Sequence, residues 1–144
     1  AALVKRLKRA GKKVVFTNGV FDIIHRGHID YLTKAKSYGD VLIVGLNTDA
    51  SVRRLKGSKR PLQKQLDRAI ILLALKPVDY VVLFGEDRPD KLIETVNPDI
   101  LVKGADYKVS EIAGAEFVKS QGGQVKRVRL TKGRASSKII KLLT

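Results

Sequence analysis

The only imidazoles in the chain, His25 and His28, stand three residues apart in F-D-I-I-H-R-G-H. The helical spacing of Ile29, Leu32 and Ala35 begins immediately after them, so both rings belong to the start of a helix. There the free backbone N–H groups and the positive end of the helix dipole attract anions, and two imidazoles face the same way. Gly27 lets a phosphate approach the backbone closely. A plainer arrangement uses the same residues: one histidine caps the helix and the other packs. Zinc fits poorly, because two histidines without a third ligand do not make a zinc site.

Other nucleotide chemistries lose their support by motif. There is no G-x-x-x-x-G-K-[ST], and no G-x-G-x-x-G follows the first strand, which excludes a P-loop and removes the main basis for dinucleotide oxidoreduction. Charge points the other way. With 29 Lys+Arg against 14 Asp+Glu, the formal net charge is +15, so anionic partners are expected: nucleic acid, a membrane surface or phosphorylated small molecules. The excess is concentrated in three stretches, Ala1 to Lys13, Arg53 to Arg68 and Phe117 to Thr144. Solvated helix faces or adaptation to growth temperature account for such charge equally well. Zero cysteines exclude a disulfide scaffold and thiolate chemistry. No run of eighteen apolar residues and no signal-like segment occurs, so a single soluble, intracellular domain over residues 1–144, with no membrane partner, is expected.

The elements that must position the histidines follow from periodicity. Val14 to Phe16, Val41 to Leu46, Tyr80 to Phe84, Ile100 to Val102 and Val125 to Leu130 read as strands. The first four are nearly continuously apolar, as parallel strands covered on both faces are. Helical spacing recurs at Leu66/Ala69/Ile70/Leu73, at Leu92/Ile93/Val96 after Pro89, over Ala113 to Ser120, and at Ile139/Ile140/Leu142/Leu143. The expectation is an α/β, doubly wound, five-stranded parallel sheet with helices on both faces. Lys56 to Pro61 reads as a mobile basic loop. Ligands of such sheets bind beyond the carboxyl ends of the strands, where the strand order reverses. The segments that follow the strands there are rich in Gly, Asn, Asp and Lys, the composition of a phosphate-bearing pocket.

T-N-G-V-F-D-I-I-H-R-G-H (Thr17 to His28) resembles the signature of the cytidylyltransferase-like nucleotidyltransferases, in which H-x-G-H follows G-x-F-D. T-K-G-R-A-S-S-K-I-I (Thr131 to Ile140) is similar to their second motif. Between the two, N-T-D-A-S-V-R-R-L-K-G, D-R-A-I-I-L, P-D-I-L-V-K-G-A-D-Y and E-I-A-G resemble the heptose 1-phosphate adenylyltransferase branch. The resemblance covers nearly the whole chain and implies a Rossmann-like sheet of strand order 3-2-1-4-5. It implies transfer of AMP from ATP, with Mg²⁺, to a heptose 1-phosphate, giving ADP-heptose, a lipopolysaccharide precursor, and pyrophosphate in the cytoplasm. It also implies a homodimer.

Carried onto this sequence, the resemblance gives His25, His28 and Lys56 catalytic roles at the phosphates. Val20, Phe21, Gly27, Arg68, Gly104, Gly133, Arg134, Ala135, Ser136 and Ser137 would hold the nucleotide, while Asp22, Lys103 and Asp106 would face the sugar phosphate or its hydroxyls. Asp22 and Asp106 are also the candidates for holding Mg²⁺. Ala135 stands where relatives commonly have Ser, Leu130 where the glycerol-phosphate branch has Arg, and Val20 where a small polar residue is frequent. Another phosphorylated acceptor, such as glycerol 3-phosphate, is the neighbouring reading. A nucleic-acid-binding module would explain the charge but not the clustered histidines, and aromatics at 6% offer few stacking platforms, so no nucleic-acid partner is expected.

Overall fold

The computed structural model describes residues 1–130 and 141–142. The elements run α1 (Ala2–Arg9), β1 (Val14–Gly19), α2 (Arg26–Ser37), β2 (Val41–Asn47), α3 (Asp49–Lys56), α4 (Gln65–Leu73), β3 (Tyr80–Phe84), α5 (Asp90–Val96), β4 (Ile100–Gly104), a 3₁₀ turn (Val109–Glu111), α6 (Ala115–Ser120) and β5 (Gln124–Val128). The five strands form one parallel sheet in the order β3-β2-β1-β4-β5. Both the doubly wound class and the strand order agree with the sequence.

Alternation along the inner strands builds a core on each face. Val15, Leu42, Val44 and Leu46 pack with Tyr31, Leu32 and Ala35 of α2 and Leu72 of α4. On the opposite face Val14, Phe16, Ile43 and Leu101 meet Val4 of α1, Ile93 and Val96 of α5, and Val118 of α6. One expectation needs correcting. β3 is not covered on both faces: Tyr80, Val82 and Leu83 are exposed, because the strand lies at the edge of the sheet.

Two helices escape the apolar pattern. α1 turns only Val4 and Leu7 to the core and carries the basic Lys5, Arg6, Lys8 and Arg9. α3 buries just Ser51 and Val52; Thr48 Oγ1 caps it by accepting from the Ser51 N–H at 3.3 Å, and Gly57, at φ 100°, ends it. Lys56 is therefore the last residue of a helix. The segment beyond it is tied down at its far end, where Asp22 accepts from Arg60, Leu62 and Gln63.

The site is opened by a change in pairing. β1 pairs with β2 from Val14 to Gly19, whereas its pairing with β4 is recorded only at Val15–Ile100 and Phe16–Leu101. The strand order reverses at this seam, as the chain passes from β1 out to β3 and returns at β4. The Tyr31 hydroxyl sits within the seam, donating to the Val102 carbonyl at 3.0 Å and accepting from Thr17 Oγ1 at 2.8 Å. That pair fastens α2 to both strands beneath the opening. Burial pushes the Tyr31 phenol well above its ordinary range, so it stays a neutral donor.

Tyr31→Phe leaves the Val102 carbonyl and Thr17 hydroxyl without this partner. We expect a loss of about 1–2 kcal/mol, read as a lower urea midpoint at unchanged slope.

Candidate active site

The cleft is built outward from the end of β1. Gly19 allows the Phe21 ring to fold back on the strand: a Cβ there would lie 2.9 Å from Phe21 Cε2. Phe21 itself adopts φ 48°, a left-handed conformation that reverses the chain toward α2. Its ring lies 5.1 Å from that of His28, tilted by 59°.

α2 then begins with an unusual reciprocal cap. His25 is the N-cap, and its Nδ1 accepts from the Gly27 N–H at 3.1 Å. His28 Nδ1 accepts in return from the His25 N–H at 3.3 Å. The rings stack with centroids 3.9 Å apart and planes 26° from parallel. Because each Nδ1 is an acceptor, the neutral form of each ring carries its proton on Nε2. Capping and anion recognition are therefore not rival uses of these histidines, since one ring nitrogen serves the helix and the other keeps a proton. Burial, with the neighbouring His25 adding to it, pushes the His28 pKa down to about 4. At neutral pH His28 offers a neutral N–H dipole.

These residues open into a cleft of about 1010 Å³ at the β1/β4 seam. It brings together Val20, Phe21, Asp22, His25, Gly27, His28, Lys56, Lys103, Gly104 and Asp106, which the sequence separates by more than eighty positions. Lys103 donates to the Asn18 carbonyl at 3.3 Å and lies over the Tyr107 ring at 4.9 Å. Burial lowers its ammonium pKa, and Asp106 opposes that shift. Gly104 leaves room for the Asp106 carboxylate, which a Cβ would meet at 2.5 Å.

Two expected ligands are otherwise engaged. Asp22 lines the cleft, but its oxygens accept from Arg60 Nε at 3.2 Å and the N–H groups of Leu62 and Gln63 at 2.8 and 2.9 Å. Arg68 is wholly buried, does not line the cleft, and spends its guanidinium on main-chain carbonyls and Asp49. Gly133, Arg134, Ala135, Ser136 and Ser137 lie outside the described residues. Among the described residues no cluster of three or more His, Cys, Asp or Glu could hold a metal ion. No described helix is long and apolar enough to cross a membrane.

Several cleft residues carried no site role in the sequence: Arg60, Arg88 and Arg129 add cations to its walls, and Ile112 and Ala113 of the E-I-A-G segment and Leu130 add apolar surface. Arg60 was visible in a basic run and in the R-P pair that resembles the heptose 1-phosphate adenylyltransferase branch, without a role attached. Its role depends on Asp22, thirty-eight residues away in sequence.

A parallel sheet with an anion-directed helix start at its switch point defines a nucleotide-binding α/β protein. The cytidylyltransferase-like family profile matches residues 16–139. The chain belongs to that family of nucleotidyltransferases. It is 57% identical over 140 residues to the bifunctional protein HldE of Citrifermentans bemidjiense and 56% identical to that of Geobacter metallireducens, in each case over 97% of this chain. The chain spans 29% of the length of these relatives. Among solved structures, the lipopolysaccharide core biosynthesis protein from Thermoplasma volcanium GSS1 superposes with a TM-score of 0.67 at 36% identity. That match covers 86% of this chain and all of the other.

The depressed His28 pKa has a stability consequence. The unfolded histidine, near 6.5, binds a proton that the folded one refuses until about 4. This contribution is fully present above pH 6.5 and is lost as pH falls from there to 4, by roughly 1–3 kcal/mol. Comparing urea midpoints at pH 7 and pH 4.5 for wild type and His28→Gln should show the smaller pH dependence in the variant.

Proposed function

We propose that the chain transfers AMP from ATP to D-glycero-D-manno-heptose 1-phosphate. An oxygen of the sugar phosphate attacks the α-phosphorus of ATP, the bond to the β-phosphate bridge breaks, and pyrophosphate leaves with both bonding electrons. The nucleophile is already an anion, so no general base is required. The barrier lies in aligning two polyanions that repel each other and in stabilising charge on the α-phosphate oxygens. The observation that carries this reading is the stacked histidine pair on the first turn of α2, opening into a cleft walled by Lys56, Arg60 and Lys103. The name of one relative, a lipopolysaccharide core biosynthesis protein, supports an acceptor used in making that core.

In this reading His28 directs its Nε2–H at the triphosphate and His25, whose Nε2 is buried, backs it through the stacked rings, with Gly27 allowing close approach. Val20, Phe21 and Gly104 flank the nucleotide, Lys56 neutralises phosphate, and Lys103 and Asp106 face the sugar phosphate. The segment from Gly133 to Ser137 completes the phosphate cradle by resemblance alone. Mg²⁺ arrives with ATP as part of the substrate. Asp22 is no substitute ligand, because its oxygens already accept from Arg60, Leu62 and Gln63. We place the protein in the cytoplasm, where ATP is available.

The reading includes a homodimer. The edge strand Tyr80–Phe84 carries no charge and leaves Tyr80, Val82 and Leu83 exposed, and α4 leaves Leu66, Ile70 and Leu73 exposed. An unprotected apolar edge of this kind favours pairing with a second strand. Light scattering should give twice the monomer mass, and Val82→Lys should return the monomer.

Supplying Mg²⁺, each nucleoside triphosphate in turn and a panel of sugar and alcohol phosphates should release pyrophosphate fastest with ATP and heptose 1-phosphate. Preference for glycerol 3-phosphate would move the acceptor, and no release with any pair would overturn the reaction. His28→Ala should lower turnover by about 10²–10³-fold with the fold intact by circular dichroism; an unchanged rate contradicts its role.

A further inference from the structure

Among the described residues the largest side chain with no exposure is a cation, Arg68 on α4. Its Nη1 donates to the carbonyls of Val20 at 2.8 Å and Asn47 at 2.9 Å, Nη2 donates to Asp49 Oδ1 at 2.8 Å, and Nε to the Gln63 carbonyl at 2.9 Å. The acceptors come from three segments that do not otherwise follow one another. Val20 belongs to the turn that leads from β1 to the histidines. Asn47 and Asp49 join β2 to α3, whose last residue is Lys56. Gln63 follows Arg60, the residue that pairs with Asp22.

Packing alone does not call for a cation here. An apolar side chain of similar volume would seal α4 against the sheet without the cost of stripping water from a charge. The planar fork does what no apolar residue or lysine can, which is to satisfy acceptors on several segments at fixed mutual angles. Each of those segments supplies a wall of the cleft, through Val20 and Phe21, Asn47 and Lys56, and Arg60. Arg68 itself does not line it.

We propose that Arg68 is a positioning residue for nucleotidyl transfer, fixing the distance between the histidine-bearing turn and the lysine-bearing end of α3 without touching substrate. The inference rests on the reaction proposed above. In-line transfer tolerates little misalignment, so a loosened frame acts on kcat. Attraction of the triphosphate to several separate cations is less sensitive to small displacements, so KM for ATP changes little.

The test is Arg68→Lys, assayed below its unfolding temperature and corrected for folded fraction. The expected result is a fall in kcat of about 10²-fold, the scale of a 1 Å misplacement, with KM for ATP changed by less than about threefold. An unchanged kcat per folded molecule makes Arg68 merely structural and overturns the proposal. A loss confined to the KM for ATP makes it a direct phosphate ligand and overturns it equally. If Arg68→Lys does not fold, Asp49→Ala removes a single bond from a side chain that is 23% exposed. It should lower kcat by about tenfold, the equivalent of one charged hydrogen bond; an unchanged kcat overturns the proposal. If the wild type releases no pyrophosphate at all, the reaction reading fails, and hydrogen exchange then tests the frame by itself. The amides of Leu62 and Gln63 should lose protection in these variants while those of β2 keep theirs; equal protection throughout contradicts it.

Discussion

The cleft depends on how one helix begins. The first amides of α2 need acceptors, and a hydroxyl at the N-cap with a carboxylate three residues on is the common way to supply them. Here two imidazoles do so through Nδ1. The substitution matters because a carboxylate at His28 would place a negative charge in the wall of the cleft. An imidazole supplies the acceptor on one side of its ring and a donor on the other. Stacking the rings at 3.9 Å and burying His28 keeps that residue neutral, so the helix start is polar and donor-rich without two adjacent cations repelling each other.

The surroundings serve the same end. Asp22 is the only buried carboxylate among the described residues, and its position at the cleft would repel an anion if it were left bare. Donors from Arg60, Leu62 and Gln63 neutralise it and pull the end of the basic segment against the turn after β1. The guanidinium of Arg68 joins that turn to the start of α3 from behind. Tyr31 fastens α2 across the seam from below. The long-range charge of the chain attracts polyanions in general, and these short contacts fix the shape of the cleft.

Much of this was legible in the sequence. The apolar runs marked β1, β2 and β4 because these are buried between helices, β3 carried the same run although it lies at the edge, and β5 showed only alternation. The histidine spacing marked the start of α2, because residues three apart meet on a helical turn. α1 and α3 were missed because α1 buries only Val4, with Leu7 half-buried, and α3 only Ser51 and Val52, too few for a period to stand out against basic residues. β1 extends through Thr17 because the hydroxyl is satisfied by Tyr31, a partner fourteen residues ahead. Arg68 resembled a phosphate ligand by motif, and only its four acceptors, drawn from distant segments, place it behind the wall. Its neighbour Asp22 likewise reads as a free carboxylate until Arg60, Leu62 and Gln63 are seen around it.

The most direct measurement is nitrogen NMR of the two imidazoles, free and with a non-hydrolysable ATP analogue. In the free protein at neutral pH, the account predicts Nδ1 unprotonated and Nε2 protonated in both rings. Nucleotide should shift the Nε2 signals and raise the His28 pKa from about 4, because a nearby phosphate favours the charged ring. Protonated Nδ1 in the free protein, or ring signals and a His28 pKa indifferent to bound nucleotide, would contradict it.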